Sequence, residues 1–167
     1  MKLVIGCVLG LSVVFSVVPA DSEQKKKAEN FFSGLYGCRP EVVDKLGAKD
    51  IVVSYPIFER IFKKRSITGK DEVRGFAERF CSRWTNATVR VDHAVEEGNT
   101  VVLMWSFSAV SAVDAEGMPP KGTSSSWGGI SLFRFDEDGR IALEVGEEST
   151  PGPAARLAGG PPDDGNG

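Results

Sequence analysis

The stretch Lys70 to Val95, KDEVRGFAERFCSRWTNATVRVDHAV, carries two periods in succession. In its first part Val73, Phe76, Ala77, Phe80, Cys81 and Trp84 fall at i, i+3, i+4, i+7, i+8 and i+11, one face of a helix, and the spacing predicts a helix over 70–84. From Val89 the period drops to two: Val89, Val91, His93 and Val95 alternate with Arg90, Asp92, Ala94 and Glu96. This is a half-buried strand whose apolar side, by strict alternation, also carries His93. The chain thus passes from a long amphipathic helix straight into sheet.

Towards the N-terminus, Ala28, Phe31, Phe32 and Leu35 repeat at helical spacing, with Ser22 as a cap and Gly37 as a stop. Pro40 suits the first turn of a short second helix carrying Val42, Val43 and Leu46 and ended by Gly47. A strand is expected over Ile51–Tyr55, broken by Pro56, and the segment Ile57–Thr68 reads as a partly buried loop. Its basic run Lys63, Lys64 and Arg65 can meet an anion, but so short a run reads first as a solvated face. Towards the C-terminus, Gly98 and Asn99 make a turn, and strands are expected at Val101–Val110, around Trp127–Phe135 and at Ile141–Val145, with Asp136 to Gly139 as a hairpin connection. No internal repeat is present. Helices first and strands after is an α+β order, which predicts a cone-shaped curved antiparallel β-sheet wrapped around helices.

The ends read differently. Residues 1–20 have signal-peptide anatomy: Lys2, an apolar run from Leu3 to Val18, then Pro19 and Ala20, with Val18 and Ala20 small enough for cleavage before Asp21. This predicts a secreted or periplasmic protein with no membrane attachment after cleavage. The alternative is a retained N-terminal anchor, with Lys25, Lys26 and Lys27 holding the flank in the cytoplasm. Residues 149–167 hold five Gly and four Pro with little apolar bulk, so a disordered tail is expected, leaving one domain over 21–148. Cleavage removes Cys7 and leaves Cys38 and Cys81, either a disulfide of an oxidising compartment or two buried thiols. Asn86-Ala87-Thr88 is a glycosylation sequon, meaningful only in a eukaryotic secretory pathway.

A length of 167 residues supports one sizeable core. A net charge of −3 without a long basic block lacks the footprint of a nucleic-acid binder, so no nucleic-acid partner is expected. With Cys7 cleaved away, one histidine and two cysteines are too few for a four-ligand Cys/His zinc site, and no phosphate-cradling or dinucleotide glycine motif occurs; no metal and no cofactor are expected.

Three segments carry a resemblance: Thr68-Gly69-Lys70-Asp71-Glu72-Val73-Arg74-Gly75-Phe76 opening the long helix, Glu97-Gly98-Asn99-Thr100-Val101-Val102 at the first hairpin, and Phe133-Arg134-Phe135 leading to Asp138-Gly139-Arg140-Ile141. With them, residues 24–148 resemble the nuclear transport factor 2-like (cystatin-like) superfamily, and within it the SnoaL-like polyketide cyclases and ketosteroid isomerases. The resemblance implies a hydrophobic pocket between helices and sheet that binds a small apolar or aromatic molecule. It places Tyr55, Phe32 and Ser131 where ketosteroid isomerases carry their Asp base, oxyanion-hole Tyr and protonated Asp, the site used as a standard example of pKa tuning. None of the three can repeat those roles: Phe32 has no donor, Ser131 is a weak neutral one, and a tyrosine titrating near 10 is a poor base at neutral pH. The two histidines of scytalone dehydratases and the Asp-Arg-Asp set of limonene epoxide hydrolases find no counterpart either.

Three readings of function follow. The first is an exported ligand-binding domain, its pocket lined by Phe32, Tyr55, Phe58, Phe76 and Phe80 from the helical part, and by Trp84, Trp105, Phe107, Trp127, Ser131 and Phe133 from the sheet; the same aromatics can equally fill a core. Ser124, Ser125 and Ser126 suit either donors at a pocket mouth or a polar strand edge. The second is an isomerase, cyclase or dehydratase-like enzyme in which His93 is the acid/base, with Glu144 or Glu147 as partner; a packed core histidine competes with it. Catalytic candidates are therefore His93, Tyr55 and Glu144, without a pattern that decides between enzyme and binder. The third is a homodimer formed through the sheet.

Overall fold

In a computed structural model, residues 22–159 are described; the expected signal segment and residues 160–167 lie outside them. The elements run α1 (Glu23–Tyr36), α2 (Val42–Leu46), β1 (Gly47–Ser54), α3 (Pro56–Phe62), β2 (Ile67–Thr68), α4 (Lys70–Cys81), β3 (Trp84–Glu97), β4 (Thr100–Ser111), β5 (Ser124–Phe135), β6 (Ile141–Ser149) and α5 (Pro153–Ala158). The strands form one six-stranded sheet in the order β2-β1-β6-β5-β4-β3. Every neighbouring pair is antiparallel except β1 and β6, which run parallel, so the expected antiparallel sheet is mixed at that seam.

Helix α1 starts where the Ser22 hydroxyl accepts from the Lys25 amide, 3.1 Å away, and ends at Gly37. Its stripe Ala28, Phe31, Phe32 and Leu35 is buried against the inner face of the sheet, with Phe32 packed on Trp105 at 5.0 Å between ring centroids. Burial of each of these larger side chains contributes about 1.5–3 kcal/mol relative to exposure. The inner face of the sheet supplies Leu103, Trp105 and Phe107 from β4 and Phe133 and Phe135 from β5.

Several expectations need correction. Pro56 does not open a loop: it takes the first turn of α3 behind an extended Tyr55, and Phe58 is buried by that helix. Trp84, expected on α4, begins β3 instead, because the helix stops at Cys81. Composition suggested disorder from residue 149, yet Ser149 is still in β6 and Pro153–Ala158 is helical, with Gly152 buried against Gly128. There the absence of side chains at both positions allows two backbones to meet. Of the two readings of the cysteines, the structure has the disulfide: Cys38, after α1, is bonded to Cys81 at the end of α4, with a Cα–Cα distance of 5.5 Å.

Candidate functional site

Glu144 lies in the middle of β6, paired with Val53 on one side and Phe133 on the other, and its side chain is fully buried under α1. Among the described residues, no cation reaches it. Two hydroxyls do: Tyr36, at the end of α1, donates to Oε1 at 3.1 Å, and Tyr55, at the end of β1, donates to the same oxygen at 2.6 Å. Behind them, the Trp105 indole N–H donates to Ser131 Oγ at 2.8 Å, and Ser131 lies 2.7 Å from Tyr55 Oη. Since the Tyr55 proton is engaged by Glu144, the Ser131 proton points to Tyr55, and the chain runs Trp105, Ser131, Tyr55, Glu144 in one donor direction.

Burial raises the Glu144 carboxyl to about 7, although both tyrosines pull the other way. Oε2 has no hydrogen-bond partner among the described residues, an arrangement that suits a neutral carboxyl far better than an unsolvated anion. Both tyrosines are pushed well above their usual range, first by burial and then by the Glu144 charge. Tyr55 and Trp105 fit because glycines face them. A Cβ on Gly146 would stand 2.1 Å from a Tyr55 ring carbon, and one on Gly129 would stand 2.5 Å from the Trp105 indole.

Above this network opens a cavity of about 730 Å³. Its deep walls are rings: Phe32, Tyr36 and Tyr55, then Phe58, Phe76 and Trp105. Phe80, Phe107, Trp84 and Trp127 form a second stack, with Phe107 and Trp127 4.3 Å apart and Trp84 and Trp127 5.2 Å apart. Nearer the exterior, the lining turns polar: Arg79 and Arg83 from the end of α4 and the turn after it, Ser124 to Ser126 from β5, and Glu148 to Thr150 at the end of β6. Gly117, Met118 and Pro119 of the β4–β5 loop also border it.

The cavity therefore takes all the aromatic residues read from the sequence except Phe133, which is wholly buried in the core. Ser131 is likewise buried and sits behind the wall, bonded to Tyr55 and Trp105. His93 is not in the site. A bulge at Asp92 places His93 opposite Met104 rather than in step with Val91, so it joins the outer, exposed side of the sheet. Glu147, opposite Ile130, is also exposed on that side. Tyr55 and Glu144, by contrast, are brought into direct contact. Asn86 is exposed, at a second irregularity of β3, with φ of 53°.

Sequence reasoning missed Arg79, Arg83 and the Met118–Pro119 loop. The arginines occupy the polar positions of the α4 pattern and gave no periodic signal. Among the described residues, no group of three or more His, Cys, Asp or Glu side chains could hold a metal ion, and no helix is long and apolar enough to cross a membrane.

The family profile described as SnoaL-like domain matches residues 28–144, from within α1 to Glu144 in β6. No curated protein matches the chain. Among solved structures, TsrD from Streptomyces laurentii superposes with a TM-score of 0.63 at 21% identity, covering 83% of this chain and 98% of TsrD. An NTF2-like protein from Burkholderia pseudomallei gives 0.62 at 16% identity, covering 82% of this chain and 96% of its own. An LEH-like epoxide hydrolase from M. tuberculosis gives 0.58 at 16% identity, with 77% and 84% covered. At such identities these likenesses establish the fold.

Proposed function

The chain belongs to the SnoaL-like domain family, and from that premise we propose that it is an exported domain that binds a small apolar or aromatic molecule in the cavity between its helices and its sheet. One observation carries the reading: an aromatic-walled space of about 730 Å³, of the size that takes a small ligand, rather than a filled core. Export is supported by the signal-peptide pattern of residues 1–20 together with the Cys38–Cys81 bond, a linkage that persists in oxidising compartments. Chemistry through His93 is not part of the proposal, because the imidazole stands on the other side of the sheet.

The test is native mass spectrometry of the protein purified from its source, followed by titration with a panel of neutral apolar molecules transparent at 295 nm. The three tryptophans, Trp84, Trp105 and Trp127, all border the cavity, so their emission reports its occupancy. A co-purifying apolar compound or a saturable emission change supports the reading. An empty protein with no saturable response across the panel overturns it.

A second reading, self-association through the sheet, is favoured by the outer face. The register aligns Val95, Val102, Leu132 and Val145 in one row across β3 to β6, and Val95, Ile130 and Val145 are 50%, 45% and 41% exposed. Sedimentation should show a concentration-dependent dimer that Val145→Lys dissociates. A monomer at every concentration rules this out.

A further inference from the structure

The floor and the mouth of the cavity offer a ligand opposite chemistry. At the floor the hydroxyls of Tyr36 and Tyr55 are engaged by Glu144, the Trp105 indole N–H by Ser131, and Ser131 by Tyr55. A ligand atom that reaches this depth meets ring faces and edges: among the described residues the hydroxyl and indole donors that border the floor are already engaged, and Glu144, whose Oε2 is unpartnered, is not part of the lining. A charged group placed there would lose its hydration without replacement.

At the mouth the balance reverses. Arg79 and Arg83, four residues apart in sequence, both border the cavity. The Arg79 guanidinium stands 5.6 Å over the Phe62 ring, itself part of the lining, and so is held against the aromatic rim. Among the described residues, no carboxylate lies within ion-pair distance of either guanidinium. A cation at the end of a helix is favoured by the helix dipole alone, which accounts for Arg79 in the last turn of α4 but not for Arg83 beyond it. The hydroxyls of Ser124, Ser125 and Ser126 add neutral donors on the β5 side, and Glu148 supplies an acidic group from β6.

Resting on the reading of the cavity as a ligand site, we infer that its ligand is an amphipathic anion, bound with an apolar ring or alkyl body inward among the aromatic walls and a carboxylate held at the mouth by Arg79 and Arg83. Planar guanidiniums match a carboxylate with paired, charge-assisted hydrogen bonds, and the apolar body gains from leaving water. The orientation follows from where unengaged donors lie.

The test uses a matched pair transparent at 295 nm, 4-cyclohexylbutyrate and its neutral amide, titrated against the wild-type protein and Arg79→Gln/Arg83→Gln, with tryptophan emission as the readout. Arg79 is exposed and Arg83 half-buried, so the double variant should fold; its far-UV circular dichroism and melting are recorded alongside. The expected result is that the acid binds about tenfold more tightly than the amide, the worth of one charge-assisted hydrogen bond, and that the ratio falls to about one in the double variant while the amide affinity is unchanged. Equal affinity for acid and amide in the wild type overturns the anionic ligand and leaves the cavity reading standing. An acid preference that survives in the double variant overturns the assignment to Arg79 and Arg83. If neither compound changes the emission, the cavity reading itself fails and takes this inference with it.

Discussion

Tyr55 Oη lies 2.6 Å from Glu144 Oε1 inside a core where, among the described residues, the carboxyl has no cation to pair with. The contact joins the end of β1 to the middle of β6, the one parallel seam of the sheet. It also makes a titratable group part of the folding energetics.

Burial raises Glu144 from its ordinary value of 4.5 to about 7. The native state therefore holds this proton more tightly than the unfolded chain does. Its contribution to stability is fully present below about pH 4.5 and is lost as the pH rises to 7 and beyond, a total of about 3 kcal/mol. Glu144→Gln cannot lose a proton, so the difference in stability between wild type and variant should move by about 3 kcal/mol in favour of the variant between pH 4.5 and 8. Thermal melts of both proteins at a series of pH values check this. Parallel curves would assign the titration elsewhere.

Gly146→Ala tests the fit that makes the network possible. The new methyl group would stand 2.1 Å from Tyr55 Cε1, so the ring must move and withdraw its hydroxyl from Glu144 and Ser131. Overpacking of this kind costs about 2 kcal/mol. With one hydroxyl that lowers the Glu144 pKa removed, the loss of stability on raising the pH should extend to higher pH than in the wild type. Urea unfolding at pH 6 and pH 8 reads both effects.

The fold was legible because its signals are local. Helix α4 announces itself by the spacing of Val73, Phe76 and Ala77, and β4 by alternation from Val101 to Ala109, where burial decides each position. What failed had no local signature. The bulge at Asp92 inserts one residue between Val91 and His93 and reverses the sides that strict alternation assigned. The pairing of Glu144 with Tyr36 and Tyr55 joins positions 108 and 89 residues apart, which no spacing rule relates. Arg79 and Arg83 are informative only once the cavity they border exists, and α3 is hidden because a proline after a strand suits a break as well as the first turn of a helix.

The Cys38–Cys81 bond closes a loop across a separation of 43 residues and ties the end of α1 to the end of α4, two elements that line the cavity through Tyr36 and Phe80. In the chain-entropy account such a closure is worth about 4 kcal/mol. Cys38→Ala/Cys81→Ala should therefore melt roughly 10 °C lower than the oxidised protein, and dithiothreitol should lower the wild-type melting temperature without changing that of the variant. A variant as stable as the oxidised wild type would show that helix packing alone holds this corner.

His93 and its neighbour Asp92 should separate cleanly in mutagenesis. The exposed imidazole lies on the outer side of the sheet, so His93→Ala should leave cavity binding unchanged and stability within about 0.5 kcal/mol. Asp92 has a side chain only 9% exposed, accepting from Arg90 Nε and from Ser106 Oγ, each at 2.5 Å. These bonds pin the bulge that turns His93 outward. Asp92→Ala removes both and leaves the Ser106 hydroxyl without its acceptor, so it should cost about 1–2 kcal/mol, read by chemical denaturation. Loss of ligand binding in His93→Ala with an unchanged melting temperature would return the imidazole to the site and contradict the register of β3.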